Sequence, residues 1–431
     1  MNFDCFPKKL ILLGFTAMLN ACGGGGSSDT SYTLGGSVSG LSSSGLVLSN
    51  GDQTLSVAAG SSNFVFNTSV SGSYRVSIKS QPVGQSCAIS NGSGSASGNV
   101  SSVAVSCRNY VVYVANGGGL NIGQFSVGSS GALSALGPIG SSGIPVAGLA
   151  ASADGHYAYA SHAGDASVTA YNIGSTGALA VVGTVNAVAD SRGIAISPDA
   201  SHVYVANYTD KSISQYSVDS SNGALSALSP STVSAGSTPM SIAITPSGNF
   251  AYALNKGDST ISQYSVGSSG VLSAQGTATI SLGSTMQPVS MAISPDSARL
   301  YVTLSGSNRV MQFSIGSTGA LTAASNVATG ATPGGIALTP LGNCAYIANT
   351  GDGTVSQYII TSGLMTPLST ATIAAGSSPT GVAISPDGAY LYVSNAGAAS
   401  ISQYSIGTAC ALNSLGTVAS GGAGPSAIVV R

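Results

Sequence analysis

Short apolar runs alternate with turn residues along most of this chain. The run at residues 212–218 alternates apolar and polar positions, which is typical of a half-buried strand. Residues 197–200, with the sequence Ser-Pro-Asp-Ala, have the composition of a tight turn. Beyond residue 21 the apolar residues never keep a helical spacing. The pattern predicts an all-β region made of units with four short strands, of which one unit comprises residues 193–197, 203–206, 212–218 and 224–228.

The unit recurs seven times. Each copy contains a strand with an anchor tyrosine, and these tyrosines are Tyr113, Tyr159, Tyr204, Tyr252, Tyr301, Tyr346 and Tyr392. The steps between them are 46, 45, 48, 49, 45 and 46 residues, a period typical of propeller blades. A unit of this size cannot bury its own apolar face, so the copies must pack against one another.

The two ends of the repeat array complement each other. The first copy lacks the strand that precedes the anchor strand elsewhere, and residues 425–430 are an orphan copy of that strand. Pairing of these two parts would complete a ring without exposed sheet edges, whereas an open array would need polar caps. We therefore predict a seven-bladed β-propeller over residues 109–431, with four-stranded blades and a C-terminal strand that closes the first blade.

Several motifs recur within the copies. They are Tyr-Val-x-Asn at the anchor, Ser-Pro-Asp-Gly at 385–388, Thr-Val-Ser-Gln-Tyr at 354–358 and Gly-Ala-Leu at 223–225. With these motifs the chain resembles the bacterial YVTN propellers, which are related to the seven-bladed lactonase-like (6-phosphogluconolactonase-like) proteins. The resemblance implies a propeller fold and, as one activity, hydrolysis of a cyclic ester. A WD-type propeller is a poorer match, because the chain has no Trp and cannot contain the signature dipeptide of that class.

The N-terminal residues have the pattern of a bacterial lipoprotein signal. Two lysines at positions 8 and 9 precede an apolar run at 10–19, which is too short to span a bilayer. Residues 19–22, Leu-Asn-Ala-Cys, resemble a lipobox. We predict a signal peptide at 1–21 and lipidation of Cys22, followed by a Gly/Ser tether to residue 29. The alternative is an ordinary cleaved signal. In the lipobox family an Asp after the cysteine favours the inner membrane, so Gly23 favours the outer membrane, facing the periplasm or the surface.

Residues 30–108 differ from the repeats. Short β-rich runs alternate with Gly, Ser and Asn turns, which predicts a small β-sandwich-like module that acts as a spacer. Cys87 and Cys107 lie in its last two predicted strands, and a disulfide between them is expected in an oxidising compartment. Cys344 and Cys410 fall on the same face of the propeller at different radii, so the sequence leaves their pairing open.

Composition excludes several functions. Charged residues make up 6% of the chain, and the net charge is −2, so no basic surface for nucleic acid is present. Four aspartates recur in loops after the anchor strands, but none has the ligand spacing of a calcium loop, and local turns explain them better; they are Asp165, Asp210, Asp258 and Asp352. We expect a monomer without a metal or cofactor.

One cluster departs from the repeat. His162 replaces the anchor Asn, Asp165 follows it, and Asp190 and Arg192 precede the next inner strand. All four are expected on one face, between the second and third blades. Arg beside imidazole and carboxylates can orient an anionic or sugar ligand. The alternative is a surface ion pair, which contributes less than about 1 kcal/mol.

These observations support two functions. The first is a membrane-anchored envelope lipoprotein whose propeller is a binding or scaffold surface for a protein, peptide or glycan. The second is a lactonase-like hydrolase of a sugar-derived or other cyclic ester. Because the chain has no glutamate, only His162, Asp165, Asp190 and Arg192 could act in catalysis, and a non-catalytic propeller is favoured.

The lipid anchor can be tested directly. Replacing Cys22 with Ala should abolish lipid labelling and release the protein into the soluble periplasmic fraction, because one cysteine carries the whole attachment. Metabolic labelling with a fatty acid, followed by fractionation, measures both effects. Lipid labelling that persists in the variant would show that the lipobox assignment is wrong.

Overall fold

The computed structural model describes residues 31–141, 143–188 and 190–431, without the side chains of residues 277 and 278. The predicted signal peptide and Cys22 lie outside these residues. All regular elements in the described ranges are strands, and no helix there has the length and hydropathy of a membrane span.

The first eight strands form two four-stranded sheets, ordered β4-β1-β8-β6 and β3-β2-β5-β7. They are β1 (Leu34–Ser39), β2 (Leu46–Asn50), β3 (Gln53–Val57), β4 (Asn63–Val65), β5 (Gly72–Ser80), β6 (Gln85–Ser90), β7 (Ser93–Ala96) and β8 (Val100–Asn109). Alternate residues of both sheets, such as Leu34, Leu48 and Val105, are buried in one shared core. Cys87 of β6 lies opposite Cys107 of β8, and a disulfide joins them.

The remaining strands form seven sheets arranged as a propeller, which confirms the predicted fold. Each blade is named by its order along the chain, and its strands run from the inner to the outer position. Blade 1 contains β37 (Pro425–Val430), β9 (Val111–Asn116), β10 (Asn121–Val127), β11 (Leu133–Ala135) and the short β12 (Ile139–Gly140). Blade 2 contains β13 (Val146–Ala151), β14 (Tyr157–His162), β15 (Ser167–Ile173) and β16 (Leu179–Asn186). Blade 3 contains β17 (Ser191–Ile196), β18 (His202–Asn207), β19 (Ser212–Val218) and β20 (Leu225–Ser234).

The other four blades follow the same order. Blade 4 contains β21 (Pro239–Ile244), β22 (Phe250–Asn255), β23 (Thr260–Val266) and β24 (Leu272–Ser281). Blade 5 contains β25 (Pro288–Ile293), β26 (Arg299–Leu304), β27 (Arg309–Ile315) and β28 (Leu321–Ala328). Blade 6 contains β29 (Pro333–Leu338), β30 (Cys344–Asn349), β31 (Thr354–Thr361) and β32 (Leu364–Ala374). Blade 7 contains β33 (Pro379–Ile384), β34 (Tyr390–Asn395), β35 (Ser400–Ile406) and β36 (Leu412–Ala419).

The C-terminal strand closes the ring. Strand β37 pairs antiparallel with β9, with Ile428 opposite Val114 and Val430 opposite Val112. Ile428 and Val430 are buried in a core cluster that also contains Tyr392 of blade 7. We call the face where each inner strand begins the upper face and the opposite face the lower face.

A buried hydrogen bond from each anchor tyrosine joins neighbouring blades near the lower face. The hydroxyl of Tyr113 donates to the carbonyl oxygen of Gly177 in blade 2 at 2.7 Å, and Tyr392 of blade 7 closes the circle onto Gly131 of blade 1 at 2.8 Å. Burial raises the pKa of both hydroxyls above the ordinary value, so they remain protonated donors. The same bond occurs at the other five seams, from Tyr159, Tyr204, Tyr252, Tyr301 and Tyr346.

At the seam between blades 6 and 7, a disulfide lies next to the turn that accepts the tyrosine hydrogen bond. In blade 2 the ring of Tyr157 covers the turn glycine of blade 3, where a Cβ at Gly223 would lie 2.3 Å from Cδ1 of Tyr157. At the equivalent positions Cys344 replaces the ring and Cys410 replaces the glycine, with φ of 65° at Cys410. A disulfide joins them with Cα atoms 5.6 Å apart. The covalent bond thus occupies the space that an aromatic ring and a glycine share at the seam between blades 2 and 3.

Ring closure should dominate stability. Deleting residues 425–431 removes the inner strand of blade 1, leaves the β9 ladder groups unpaired and uncovers apolar surface. We expect aggregation or a fall in melting temperature of more than about 10 °C by calorimetry. The full-length Ser426→Ala variant, which keeps the strand, is the control. A truncated protein that melts within about 2 °C of the full chain would contradict this account.

Candidate functional site

The centre of the propeller contains a cavity of about 610 Å³ that opens at the upper face. The upper halves of all seven inner strands line it, because each inner strand begins at this face. The lining is largely backbone and apolar side chain, including Leu149, Ile194 and Met291. A cavity of this size is in the range of small-ligand sites.

Seven residues share one register position near the cavity mouth, directly after the first residue of each inner strand. They are Ala147, Arg192, Met240, Val289, Gly334, Thr380 and Ser426. The two hydroxyls among them bond within the protein: Thr380 Oγ1 donates to the Pro425 carbonyl at 2.9 Å, and Ser426 Oγ donates to that of Val146 at 3.3 Å. Among the described residues that line the cavity, Arg192 is the only one with a charged side chain.

Arg192 is held by Asp190. Arginine Nη2 donates to Oδ2 of Asp190 at 3.1 Å, and Nε lies 2.9 Å from Oδ1 without the alignment of a hydrogen bond. The two side chains are 38% and 24% exposed, so the pair is partly open to solvent, and of the two residues only Arg192 lines the cavity. Asp190 has a positive φ of 55°, a backbone conformation in which aspartate is more common than most residues.

Two further residues support Arg192 and were not identified from the sequence. The guanidinium carbon lies 5.2 Å from the ring centroid of Tyr208, a cation–π distance. Ser161 Oγ donates to the Arg192 carbonyl oxygen and thereby joins blades 2 and 3. Tyr208 directly follows the anchor strand, at a position where the other blades have small or polar residues or lysine. This exception to the repeat is visible in the sequence and could have identified Tyr208 as part of the candidate site.

His162 lies inside blade 2 and does not line the cavity. It is 1% exposed, and its Nε2 is 2.9 Å from Thr169 Oγ1, which is 3.0 Å from Thr184 Oγ1. Its Nδ1 has no hydrogen-bond partner among the residues that the structure describes. Burial lowers the pKa of His162, and the Asp165 carboxylate opposes that shift. The imidazole fills the place of the anchor asparagine, which in blade 3 donates from Asn207 to Ser212 and Ser214.

The recurrent loop aspartates serve local structure in three blades. Asp165 accepts a hydrogen bond from Ser167 Oγ at 2.8 Å. Asp258 accepts from the Ser237 backbone at 2.7 Å, and Asp352 accepts from the Ala331 backbone. Within the described ranges, no group of three or more His, Cys, Asp or Glu side chains is arranged to hold a metal ion. Of the four candidate residues, the structure therefore brings Asp190 and Arg192 into direct contact and places His162 and Asp165 in separate networks.

Known proteins resemble this chain in fold. The family model "Lactonase, 7-bladed beta-propeller" matches residues 133–238, 228–324 and 290–431. A candidate 6-phosphogluconolactonase from Bacteroides fragilis is 20% identical, with a TM-score of 0.66 over 75% of this chain and 98% of that one. The periplasmic gluconolactonase of Pseudomonas aeruginosa is 18% identical, with a TM-score of 0.64 over 74% and 98%.

A structure with a different chemistry also matches. Hydrazine synthase from Kuenenia stuttgartiensis is 21% identical, with a TM-score of 0.53 over 67% of this chain and 90% of that one. No curated protein sequence matches the chain. At these identities the structural likeness establishes the fold alone, since one fold hosts many chemistries.

The buried His162 should make stability depend on pH. Its folded-state pKa lies below the ordinary 6.5, so below that pH the unfolded chain takes up a proton that the folded chain resists. The stability associated with the neutral ring is therefore full above pH 6.5 and is lost as pH falls. His162→Asn, which restores the anchor residue of the other blades, should melt higher than the wild type near pH 5 and similarly near pH 8. The same difference in melting temperature between variant and wild type at both pH values would contradict this assignment.

Proposed function

The chain belongs to the seven-bladed β-propeller lactonase family, and on that basis we propose that it hydrolyses a small sugar-derived cyclic ester in the upper half of its central cavity. The observation that carries the proposal is the Asp190–Arg192 pair at the cavity mouth. It supplies a carboxylate and a guanidinium side by side, and its Arg192 is the only charged side chain among the described lining residues.

The pair provides the two groups that ester hydrolysis requires. Arg192 Nη1 is not used in the ion pair with Asp190, so its N–H donors can reach the carbonyl oxygen of a lactone. Each Asp190 oxygen faces one arginine nitrogen, and a carboxylate oxygen has a second lone pair that can accept a hydrogen bond from water. These are the positions of an oxyanion stabiliser and a general base.

The reaction follows from these positions. Water attacks the carbonyl carbon while its proton passes to Asp190, and the carbonyl oxygen, now negative, is held by Arg192. When the tetrahedral intermediate collapses, the bond between the carbonyl carbon and the ring oxygen breaks. The leaving oxygen takes the proton from Asp190, and the product is the open-chain hydroxy acid.

A second candidate function is binding without turnover. Both Asp190 oxygens face the guanidinium, so the ion pair already engages the carboxylate that would have to orient the attacking water. His162, the other base considered from the sequence, is buried in the blade. In this case the cavity would hold the lactone, or the end of a glycan, as a ligand, and the propeller would serve as the binding surface that the sequence suggests.

We place this activity in the cell envelope, with Cys22 as a lipid anchor in the outer membrane. Two disulfides, Cys87–Cys107 and Cys344–Cys410, support an oxidising compartment. The relative from Pseudomonas aeruginosa is described as periplasmic. An anchored enzyme there would act on lactones that enter from outside the cell.

Lactone hydrolysis by purified protein tests the proposal. We expect turnover of glucono-δ-lactone above the spontaneous rate, measured by acid release at constant pH. Asp190→Asn and Arg192→Ala should each lower kcat by roughly 10²-fold, because each removes one of the two functions. Asn tolerates the positive φ of position 190, and Asp165→Asn, in a local turn, is the matched control with unchanged rate.

The outcomes separate the two candidates. Binding of the lactone without turnover, weakened in Arg192→Ala, would support the binding function and contradict hydrolysis. Turnover that survives both the Asp190 and Arg192 changes would show that the reaction occurs elsewhere in the molecule. Absence of both turnover and binding would contradict both candidates.

A further inference from the structure

We propose that the cavity selects uncharged lactones and rejects those that carry a phosphate. This inference rests on the proposed function, because it concerns the ligand class of the same site. The relatives do not decide the matter: one is described as a candidate 6-phosphogluconolactonase and another as a gluconolactonase. The charges around the cavity of this chain indicate which class of lactone it accepts.

Apart from Arg192, which the carbonyl oxygen of the lactone engages, the described lining has no cation to pair with a phosphate. Arg192 is the only charged side chain among the described lining residues, and the Asp190 carboxylate at 2.9 Å neutralises it. The equivalent positions in the other blades carry small, apolar or hydroxyl side chains, and both hydroxyls bond to backbone carbonyls. The mouth and its ion pair thus have no net charge.

The loops around the mouth do not supply a positive field either. The described residues of the upper loops and strand ends include five carboxylates, at Asp165, Asp190, Asp210, Asp258 and Asp352, and four cations, at Arg192, Lys211, Lys256 and Arg309. The upper rim is therefore slightly negative. A field of this sign does not attract an anionic ligand toward the cavity.

A phosphate monoester would bind poorly in these surroundings. It carries a charge of about −1.5 to −2 at neutral pH, and proteins bind such groups with arginine, lysine or a row of backbone N–H donors. Entry into the cavity removes water from the phosphate, and among the described lining residues no cation other than the paired Arg192 compensates. An uncharged lactone avoids this cost and still presents a carbonyl oxygen to Arg192.

The same charge distribution assists product release. Hydrolysis converts an uncharged lactone into a carboxylate, which forms beside the carboxylate of Asp190. Two neighbouring carboxylates of like charge repel each other. The site thus favours the substrate over its product, and it requires a neighbouring reaction that supplies the lactone without a phosphate group, such as oxidation of a free sugar.

Equilibrium binding of two ring analogues tests the selectivity. Gluconolactam and its 6-phosphate keep the ring carbonyl but resist hydrolysis, so titration calorimetry measures binding apart from turnover. We expect the wild-type protein to bind the uncharged lactam at least about tenfold more tightly. The ratio of kcat/KM for glucono-δ-lactone and its 6-phosphate should lie in the same direction.

A gain-of-binding variant tests the cause. Met240→Arg adds an unpaired cation at the position equivalent to Arg192 in the adjacent blade. It should raise affinity for the phosphorylated lactam at least about tenfold and leave the uncharged lactam little changed. Val181→Arg adds the same charge on the exposed outer strand of blade 2 and should change neither affinity.

Each result decides a different point. Equal or tighter wild-type binding of the phosphorylated lactam would overturn the selectivity while leaving the proposed function intact. No gain in Met240→Arg, with the fold retained by circular dichroism, would overturn the assignment of the selectivity to missing cations. Failure of the wild-type protein to bind or turn over either ring form would overturn the proposed function itself, and the ligand class with it.

Discussion

The hydrogen bond from an anchor tyrosine to a turn carbonyl of the next blade recurs at all seven seams of this propeller. Each donor is buried and each acceptor is a backbone carbonyl, so leaving one unmade would strand a polar group away from water. The constraint spaces the blades equally and makes the last blade meet the first. The seven inner strands lie around the central cavity and line it.

This regularity explains which substitutions the repeat accepts. At the seam between blades 6 and 7, Cys344 and Cys410 replace a side chain and a glycine together, and the disulfide fits because both changes occur at once. In blade 2, His162 replaces the anchor asparagine and still reaches Thr169. Both departures preserve the contact that the position makes elsewhere, so neither of them alone indicates a ligand site.

The candidate site lies where a residue differs from the repeat without replacing a structural contact that the other blades make. Arg192 occupies a position that is apolar, small or internally bonded in the other blades, and it makes an ion pair with Asp190, which precedes its strand. Because seven equivalent positions surround one opening, a change at one of them places an ion pair on one side of the mouth. A closed ring of similar blades therefore produces an asymmetric site by changing one or two residues, without altering the scaffold.

The sequence by itself determined the architecture. The architecture follows from the period of the tyrosines, the alternation in each strand and the orphan strand at residues 425–430. All three are repeats along the chain, so they can be read from the sequence directly. It also identified Arg192, with Asp190 beside it, as unusual, because the other copies have uncharged residues at the position of Arg192. Only the tertiary structure decided that His162 turns into its blade, that Tyr208 lies against Arg192, and that Cys344 meets Cys410 across a seam. Those contacts depend on the direction of side chains and on the distance between blades, and neither is encoded in spacing along the chain.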